Sequence, residues 1–392
     1  MNRIRLLDIE FIEKLRKDLA RELSKYEGNE KIKFDLSIEE LEDLIFKTLY
    51  DGERRVAFDF KLIKKLDLSG VSFADVWVEG FDFRGSKGVK INPQTVFCKC
   101  FSSVIAEGVE FIGSFDDVKI VGTDFSGSKG AKINPLTIRY CDLSSVVAKD
   151  VEFIGISPFR GVVTVKTNFS GSKGAKINPQ EVSNRMFYSV IATDVEFTGP
   201  FDGVFIAGTD FSGSKGAVIY PETIYDRNLH AVIAKDVRFK GSFDGASVQN
   251  ANFSGSKGAI INPQMVYDKN LKFVKAKDVK FIGSFKGVKI EGTDFTGSRG
   301  AKINPQTVKN KNLIKTVLTD AEIIGLLDGV KMKNTIFAGS KGAKITEEMI
   351  SSYKNCDLTD VEIIFSNKIY DELKDTIVKG TECKQRVLSR RK

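Results

Sequence analysis

Large apolar residues recur every five positions through most of the chain. Residues 66–85 read in fives as Leu-Asp-Leu-Ser-Gly, Val-Ser-Phe-Ala-Asp, Val-Trp-Val-Glu-Gly and Phe-Asp-Phe-Arg-Gly, with Leu68, Phe73, Val78 and Phe83 at their centres. The register returns at Leu143, Ala148 and Phe153, at Leu229, Ala234 and Phe239, and at Phe243, Val248 and Phe253. A period of five matches neither the 3.6 of a helix nor the 2 of a strand. It fits a chain that turns a corner every five residues, with the central apolar side chain pointing inward. The residue two before it also points inward and must be small, as Cys141, Ala251 and Thr123 are. Corners suit Gly, Ser, Asn and Asp.

A longer repeat overlies this one. The tetrad Gly-Ser-Lys-Gly begins at Gly85, Gly127, Gly171, Gly213, Gly255 and Gly339, and Gly297 opens the variant Gly-Ser-Arg-Gly. The spacings are 42, 44, 42, 42, 42 and 42. The longer interval contains Ile156-Ser157-Pro158-Phe159-Arg160, which reads as an inserted surface loop. Four sides of five make a coil of about 20 residues, so each 42 is two coils with a small excess. The excess is assigned to Ile-Asn-Pro-Gln-x-Val, as at Asn92-Pro93 and Asn304-Pro305. Asn caps a helical turn and Pro suits its first position, so a short helical turn is expected in every second coil. Columns of Phe then fill the interior. One runs Phe83, Phe125, Phe169, Phe211, Phe253, Phe295 and Phe337, and another runs Phe111, Phe153, Phe197, Phe239 and Phe281, ending in Ile323 and Ile363.

Thr123-Asp124-Phe125-Ser126-Gly127 and Ala251-Asn252-Phe253-Ser254-Gly255 resemble the motif of the pentapeptide-repeat family, which is a small residue, Asp or Asn, Leu or Phe, then two variable positions. The resemblance spans about residues 66–365. It implies a right-handed quadrilateral β-helix. Some members of that family act on type II topoisomerases by mimicking duplex DNA, which the resemblance brings in as one possible role. The expected fold class is therefore mainly β, a right-handed β-helix solenoid of pentapeptide type spanning residues 65–365. A small α-helical domain or cap (residues 1–64) and a C-terminal helical cap with a basic tail (residues 366–392) flank it.

The helical ends are read from periodicity. Phe11, Ile12, Leu15, Leu19 and Tyr26 line one face of a helix over residues 8–26. Ser37-Ile38-Glu39-Glu40 forms a capping box for a second helix carrying Leu41, Leu44, Ile45 and Leu49. Ile369, Leu373 and Ile377 mark the third, with Gly380 as its stop. Such caps shield the open strand edges of a solenoid. Trp77 is expected to be buried against the N-terminal helices.

Composition narrows the functions. The net charge is +8, but residues 1–64 carry 14 basic against 15 acidic residues and residues 366–392 carry 8 against 4, leaving 38 and 33 between. That thin excess argues against a strong nucleic-acid footprint and against an acidic DNA mimic alike. The five cysteines, Cys98, Cys100, Cys141, Cys356 and Cys383, are odd in number and irregular in spacing. No disulfide framework or zinc site is expected, and a reducing, cytoplasmic location is. Neither a signal peptide nor an apolar run long enough for a membrane span is read from the sequence.

Candidate chemistry lies in the repeats. Lys87, Lys129, Lys173, Lys215, Lys257, Arg299 and Lys341 form a column two coils apart, and Lys90, Lys132, Lys176, Lys302 and Lys344 form a second, broken by Val218 and Ile260. Together they could track an anionic polymer; singly, each is a solvated corner lysine. Asp150, Asp194, Asp236, Asp278, Asp320 and Asp360 are expected to bond turn backbones rather than metal. The single histidine, His230, has no nucleophile partner, so no catalytic residue, cofactor or metal is assigned. Phe159 and Arg160 in the inserted loop are the one local break in the repeat and are expected to form a recognition spot. The reading that follows is a non-enzymatic binding or scaffold protein presenting an extended surface to a protein partner. Modulation of a topoisomerase or other DNA-acting enzyme is the alternative, and weak binding of an anionic polymer by the Lys columns is another. Nucleic acid is not the favoured partner, no membrane is involved, and a homodimer would form through a terminal cap.

Overall fold

The computed structural model describes residues 73–74, 78–155, 159–346 and 356–364. The expected helices of residues 1–64 and 366–392, Trp77 and Ile156–Pro158 lie outside the described residues. The chain divides into two compact units, Met1–Met186 with Thr193–Glu196, and Phe187–Ala192 with Phe197–Lys392. Each is a mainly-β right-handed solenoid.

Within the first unit, Lys90–Ile91 pairs parallel with Glu110–Phe111, and Lys132–Ile133 with Glu152–Phe153. Within the second, Val218–Ile219 pairs with Arg238–Phe239, Ile260–Ile261 with Lys280–Phe281, Lys302–Ile303 with Glu322–Ile323, and Lys344–Thr346 with Glu362–Ile364. These strands are two or three residues long because a corner interrupts each side. On another side single parallel bridges join Asp82 to Ile105, Ile105 to Asp124 and Asp124 to Val147 in the first unit. The second unit shows the same series in Asp210, Ile233 and Asn252. Partners in these series are 23 and 19 residues apart in turn, and the bridge from Val147 to Asn168 spans 21.

Two local devices make the long turns longer. The first is the tetrad. Its last residue, Gly130 in one unit and Gly258 in the other, has φ of +73° and +76°. A Cβ there would sit 2.6 Å and 2.4 Å from the carbonyl oxygens of Phe111 and Phe239 on the neighbouring coil, so only glycine fits. The kink lets Lys129 register with Glu110 on one neighbouring coil while Lys132 registers with Glu152 on the other. The second device is Asn-Pro. Asn92 Oδ1 accepts the N–H of Gln94 (3.1 Å) and its carbonyl accepts that of Thr95 (3.0 Å). A 3-10 turn follows at Phe97–Lys99, and others stand at Arg139–Cys141, Ser183–Arg185, Tyr225–Arg227, Tyr267–Lys269 and Lys309–Lys311. The expected right-handed helical turn is not what forms: the Asn-Pro makes a single capped turn, and in the segment after it the last two residues are left-handed, as Cys98 and Lys99 are at φ +53° and +49°. Cys141 falls in one of these turns and is half-exposed, so it is not the small inward residue expected of it.

The core is aromatic. Both expected Phe columns are buried wherever the side chains are described. A third buried series joins them, Phe115 and Phe159 in the first unit and Phe201, Phe243 and Phe285 in the second. The rings form triples such as Phe111, Phe115 and Phe125, with centroids 5.0, 5.5 and 5.7 Å apart in edge-to-face or tilted contact. Phe159 is 2% exposed and stacks against Phe153 at 5.1 Å and Phe169 at 5.6 Å. It is therefore a core ring and not a recognition residue. The two-residue excess of the 44-residue interval displaces it in sequence but leaves it where Phe115 stands in the preceding repeat.

Buried polar groups divide into two kinds. Thr293 Oγ1 donates to the carbonyl of Leu271 on the preceding coil (2.5 Å), Thr335 to Leu313 (2.6 Å), and Thr123 and Thr209 to Phe101 and Phe187. The tetrad serines Ser128, Ser172, Ser214, Ser256, Ser298 and Ser340 are just as enclosed, but their hydroxyls have no partner. A similar mismatch occurs at Glu222. Gln264 and Gln306, at the matching position, donate Nε2 to two carbonyls each on the next coil, at 2.6–3.0 Å. A carboxylate cannot donate, and Glu222 Oε2 is enclosed without a hydrogen bond.

Three substitutions follow from this division. Thr293→Val removes a satisfied buried bond and lowers stability by about 1 kcal/mol, whereas Ser256→Ala is neutral or stabilising. Both are read by calorimetric melting. Glu222→Gln supplies the missing donor and raises stability by about 1–2 kcal/mol; an unchanged or lowered melting temperature would contradict this placement.

Candidate binding faces

Lys87, Lys129, Lys173, Lys215, Lys257, Arg299 and Lys341 are all exposed, as the tetrad corner dictates. Within each unit both lysine columns share one side, and a glutamate of the intervening coil stands between each second-column lysine and the tetrad lysine two coils on. Glu110 registers with Lys90 on one coil and Lys129 on the other, and Glu152 does the same between Lys132 and Lys173. Lys90–Glu110, Lys132–Glu152 and Lys176–Glu196 form ion pairs at 3.2, 3.4 and 3.2 Å. Lys302–Glu322 and Lys344–Glu362 do so in the second unit at 3.0 and 3.1 Å. These exposed pairs contribute little to stability, about 0–1 kcal/mol each. Their effect is to neutralise the side. The glutamates were legible as a 42-residue series, but their place between the lysines depends on the 19- and 20-residue return of the coil. The breaks at Val218 and Ile260 coincide with changes on the facing coil, where Arg238 and Lys280 replace glutamate.

The aspartate series does the structural work expected of it. Asp150 Oδ2 accepts the N–H of Gly127, the first residue of the tetrad one coil back, at 2.8 Å. Asp194, Asp236, Asp278, Asp320 and Asp360 repeat the bond at 2.7–2.8 Å. Each of these aspartates has φ near +66°, a conformation that Asp tolerates better than most residues. No group of three or more His, Cys, Asp or Glu side chains among the described residues is placed to hold a metal ion. His230 is half-buried at a corner, its N–H bonded to Asn228 Oδ1 at 2.9 Å. A hollow of about 680 Å³ is lined by Gln94, Val96, Cys98, Lys99 and Arg139, and another of about 110 Å³ by Lys272, Lys289, Glu291 and Asn312. Neither brings a nucleophile to a histidine or two carboxylates together. No helix among the described residues is long and apolar enough to cross a membrane.

The side that carries the 3-10 turns has a different character. In the second unit Tyr188, Phe205 and Tyr225 stack from coil to coil, with centroids 5.6 and 6.0 Å apart. Tyr225 is 54% exposed and Tyr267, the equivalent residue of the next turn, 66%. Met265 and Phe273 are exposed in the same repeat. Charged groups border them. A hydrogen bond from Lys289 holds the Asp268 carboxyl below the usual carboxylate range. In the first unit a hydrogen bond from Arg139 does the same to Asp117. Five-residue spacing did not reveal these aromatics, because they stand at outward positions that vary between repeats. Arg160 is exposed. It falls between Glu152–Phe153 and the bridge at Val163, away from the lysine side.

Inward residues every five positions, left-handed corners and parallel bridges one coil apart together decide the fold type. This is a right-handed parallel β-solenoid whose inward residues recur every five positions. No family model matches the chain, and no curated protein does. Among solved structures, full-length QnrB1, a plasmid-mediated fluoroquinolone resistance protein, is similar at 12% identity over 74% of this chain and 95% of that one, with a TM-score of 0.15. A trypsin-treated form of QnrB1 matches at 13% identity over 75% and 96%, with a TM-score of 0.13. Likeness at this level assigns no function.

The aspartate latch is open to direct test. Asp236→Ala removes a charge-assisted bond to Gly213 and places alanine at φ +67°. A loss of about 2–3 kcal/mol is expected in thermal melting, with Asp236→Asn retaining most of the stability.

Proposed function

We propose that this chain is a non-enzymatic binding solenoid that engages a protein partner through the aromatic side of the Phe187–Lys392 unit. The stack of Tyr188, Phe205 and Tyr225, with exposed Tyr267 at the equivalent position one 42-residue repeat on, carries this reading. Tyrosine and phenylalanine on a rigid, regular backbone supply contact area at low entropic cost, and such residues dominate protein interfaces. Each 42-residue sequence unit is read as two coils, so that outward positions two coils apart form one surface. The basic tetrad residues of the same unit, Lys215, Lys257, Arg299 and Lys341, would then border the contact rather than form its centre.

The pentapeptide-repeat resemblance makes a DNA-acting enzyme the second reading of that partner, and protein binding is common to both readings. Mimicry of duplex DNA needs a continuous negative face. The side bearing Arg238, Lys257, Lys280 and Arg299 has the opposite sign.

A photo-crosslinking residue at position 267, introduced in the source cells, tests the reading. A discrete crosslinked protein is expected, and it should be lost when Tyr188→Ala and Tyr225→Ala are added. The same product from a probe at Arg84, or its survival in the double alanine variant, would exclude this surface.

A further inference from the structure

Charge pairing across the lysine side follows one rule with two exceptions. In the rule, lysine of one coil meets glutamate of the next, and that glutamate meets a basic tetrad residue of the coil after it. Lys90, Glu110 and Lys129 obey it, as do Lys132, Glu152 and Lys173, and Lys302, Glu322 and Lys341. The exceptions are consecutive. Val218, Arg238 and Lys257 form one, and Ile260, Lys280 and Arg299 form the other. Both change in the same sense, from lysine to an apolar residue and from glutamate to a cation.

The result is a pair of like charges in direct register, Arg238 beside Lys257 and Lys280 beside Arg299. Like charges in facing positions oppose strand pairing, and a local rule broken twice in one direction marks a selected feature. All four side chains are exposed, and none is in an ion pair among the described residues. Four successive coils thus present one cation each, a column about 14 Å long at the usual strand spacing of ~4.8 Å. Lys235 and Lys277 add exposed charge beside the tetrad corners, where the adjoining Asp236 and Asp278 carboxylates accept the N–H groups of Gly213 and Gly255.

We propose that this column binds the phosphate backbone of a nucleic-acid duplex without reading its sequence. The paired outward positions Val218, Arg238, Lys257, Ile260, Lys280 and Arg299 include no aromatic ring on which a base could stack, which argues against a single strand. Within the row stands Ile260, and Val218 flanks its end at Arg238; neither offers a side-chain donor or acceptor for sugar hydroxyls. What the column does offer is a run of exposed positive charge over successive coils, and a run of that kind selects for charge density. A duplex carries one negative charge per ~1.7 Å of axis.

Fluorescence polarisation of the full chain with a labelled 20-base-pair duplex, repeated over a sodium chloride series, tests the assignment. Four phosphate contacts give a slope of log K against log salt of about −4. Arg238→Glu combined with Lys280→Glu restores the residue type that other repeats carry at those positions. It should weaken binding at least tenfold and flatten the slope by about 2, while melting at the same temperature or higher. Arg238→Gln with Lys280→Gln removes the charge without reversing it and gives the same test if the first variant fails to fold. Lys129→Ala, in the other unit, should change the affinity less than twofold. Wild-type affinity in both double variants, or an equal loss from Lys129→Ala, would overturn the proposal. Displacement of the duplex by poly-glutamate at equal or lower charge concentration would assign the column to an acidic protein instead and overturn it equally.

Discussion

Each coil in these two units must return its backbone to the coil before it in parallel register. Phe125 N–H reaches Val147 O at 2.9 Å and Val147 N–H reaches back to Thr123 O at 2.9 Å, and the same exchange recurs at Phe253 and Lys275. A strand of two residues has almost no pairing of its own to lose or gain. Stability comes from repeating the contact on every side of every coil, so a one-residue slip would turn inward residues outward around the whole turn. The corners, the small inward residues and the aromatic triples are all ways of keeping that return in place.

The tetrad shows how one short sequence serves this constraint. Its final glycine takes a left-handed φ against a neighbouring carbonyl, and its first glycine donates its N–H to an aspartate of the next coil. Its serine fills an inward site, but its hydroxyl is unpaired. Its lysine is simply the residue left outside. Backbone requirements thus account for three of the four positions, and the fourth is free to carry charge. Where a coil needs polar satisfaction inside, threonine provides it by reaching the preceding coil's carbonyl.

Outward positions carry none of these backbone constraints, which is why the repeats diverge there. On one side of the Phe187–Lys392 unit they have become aromatic, and on another they have exchanged Lys–Glu pairs for uncompensated cations. The fold tolerates both changes because exposed ion pairs and exposed rings contribute little to it. A solenoid can therefore vary its surface coil by coil without altering the backbone that presents it.

Several features were readable without coordinates. The five-residue period identified the inward residues, and Phe83 through Phe337 are buried as that period demands. The recurring tetrads located the corners, and the aspartates before Val or Ala proved to be turn acceptors. Such features are local or strictly periodic, so sequence alone determines them. Phe159 marks where this reasoning failed. As a break in the repeat it read as a surface residue, yet a two-residue loop excess only delays its arrival at a core site whose neighbours, Phe153 and Phe169, are set by stacking. The charge pattern is the other case. Lys257 and Arg238 are 19 residues apart, and nothing in either sequence context links them. Only the length of the return path brings them side by side, because which outward residues become neighbours is decided by how many residues each coil spends on its corners.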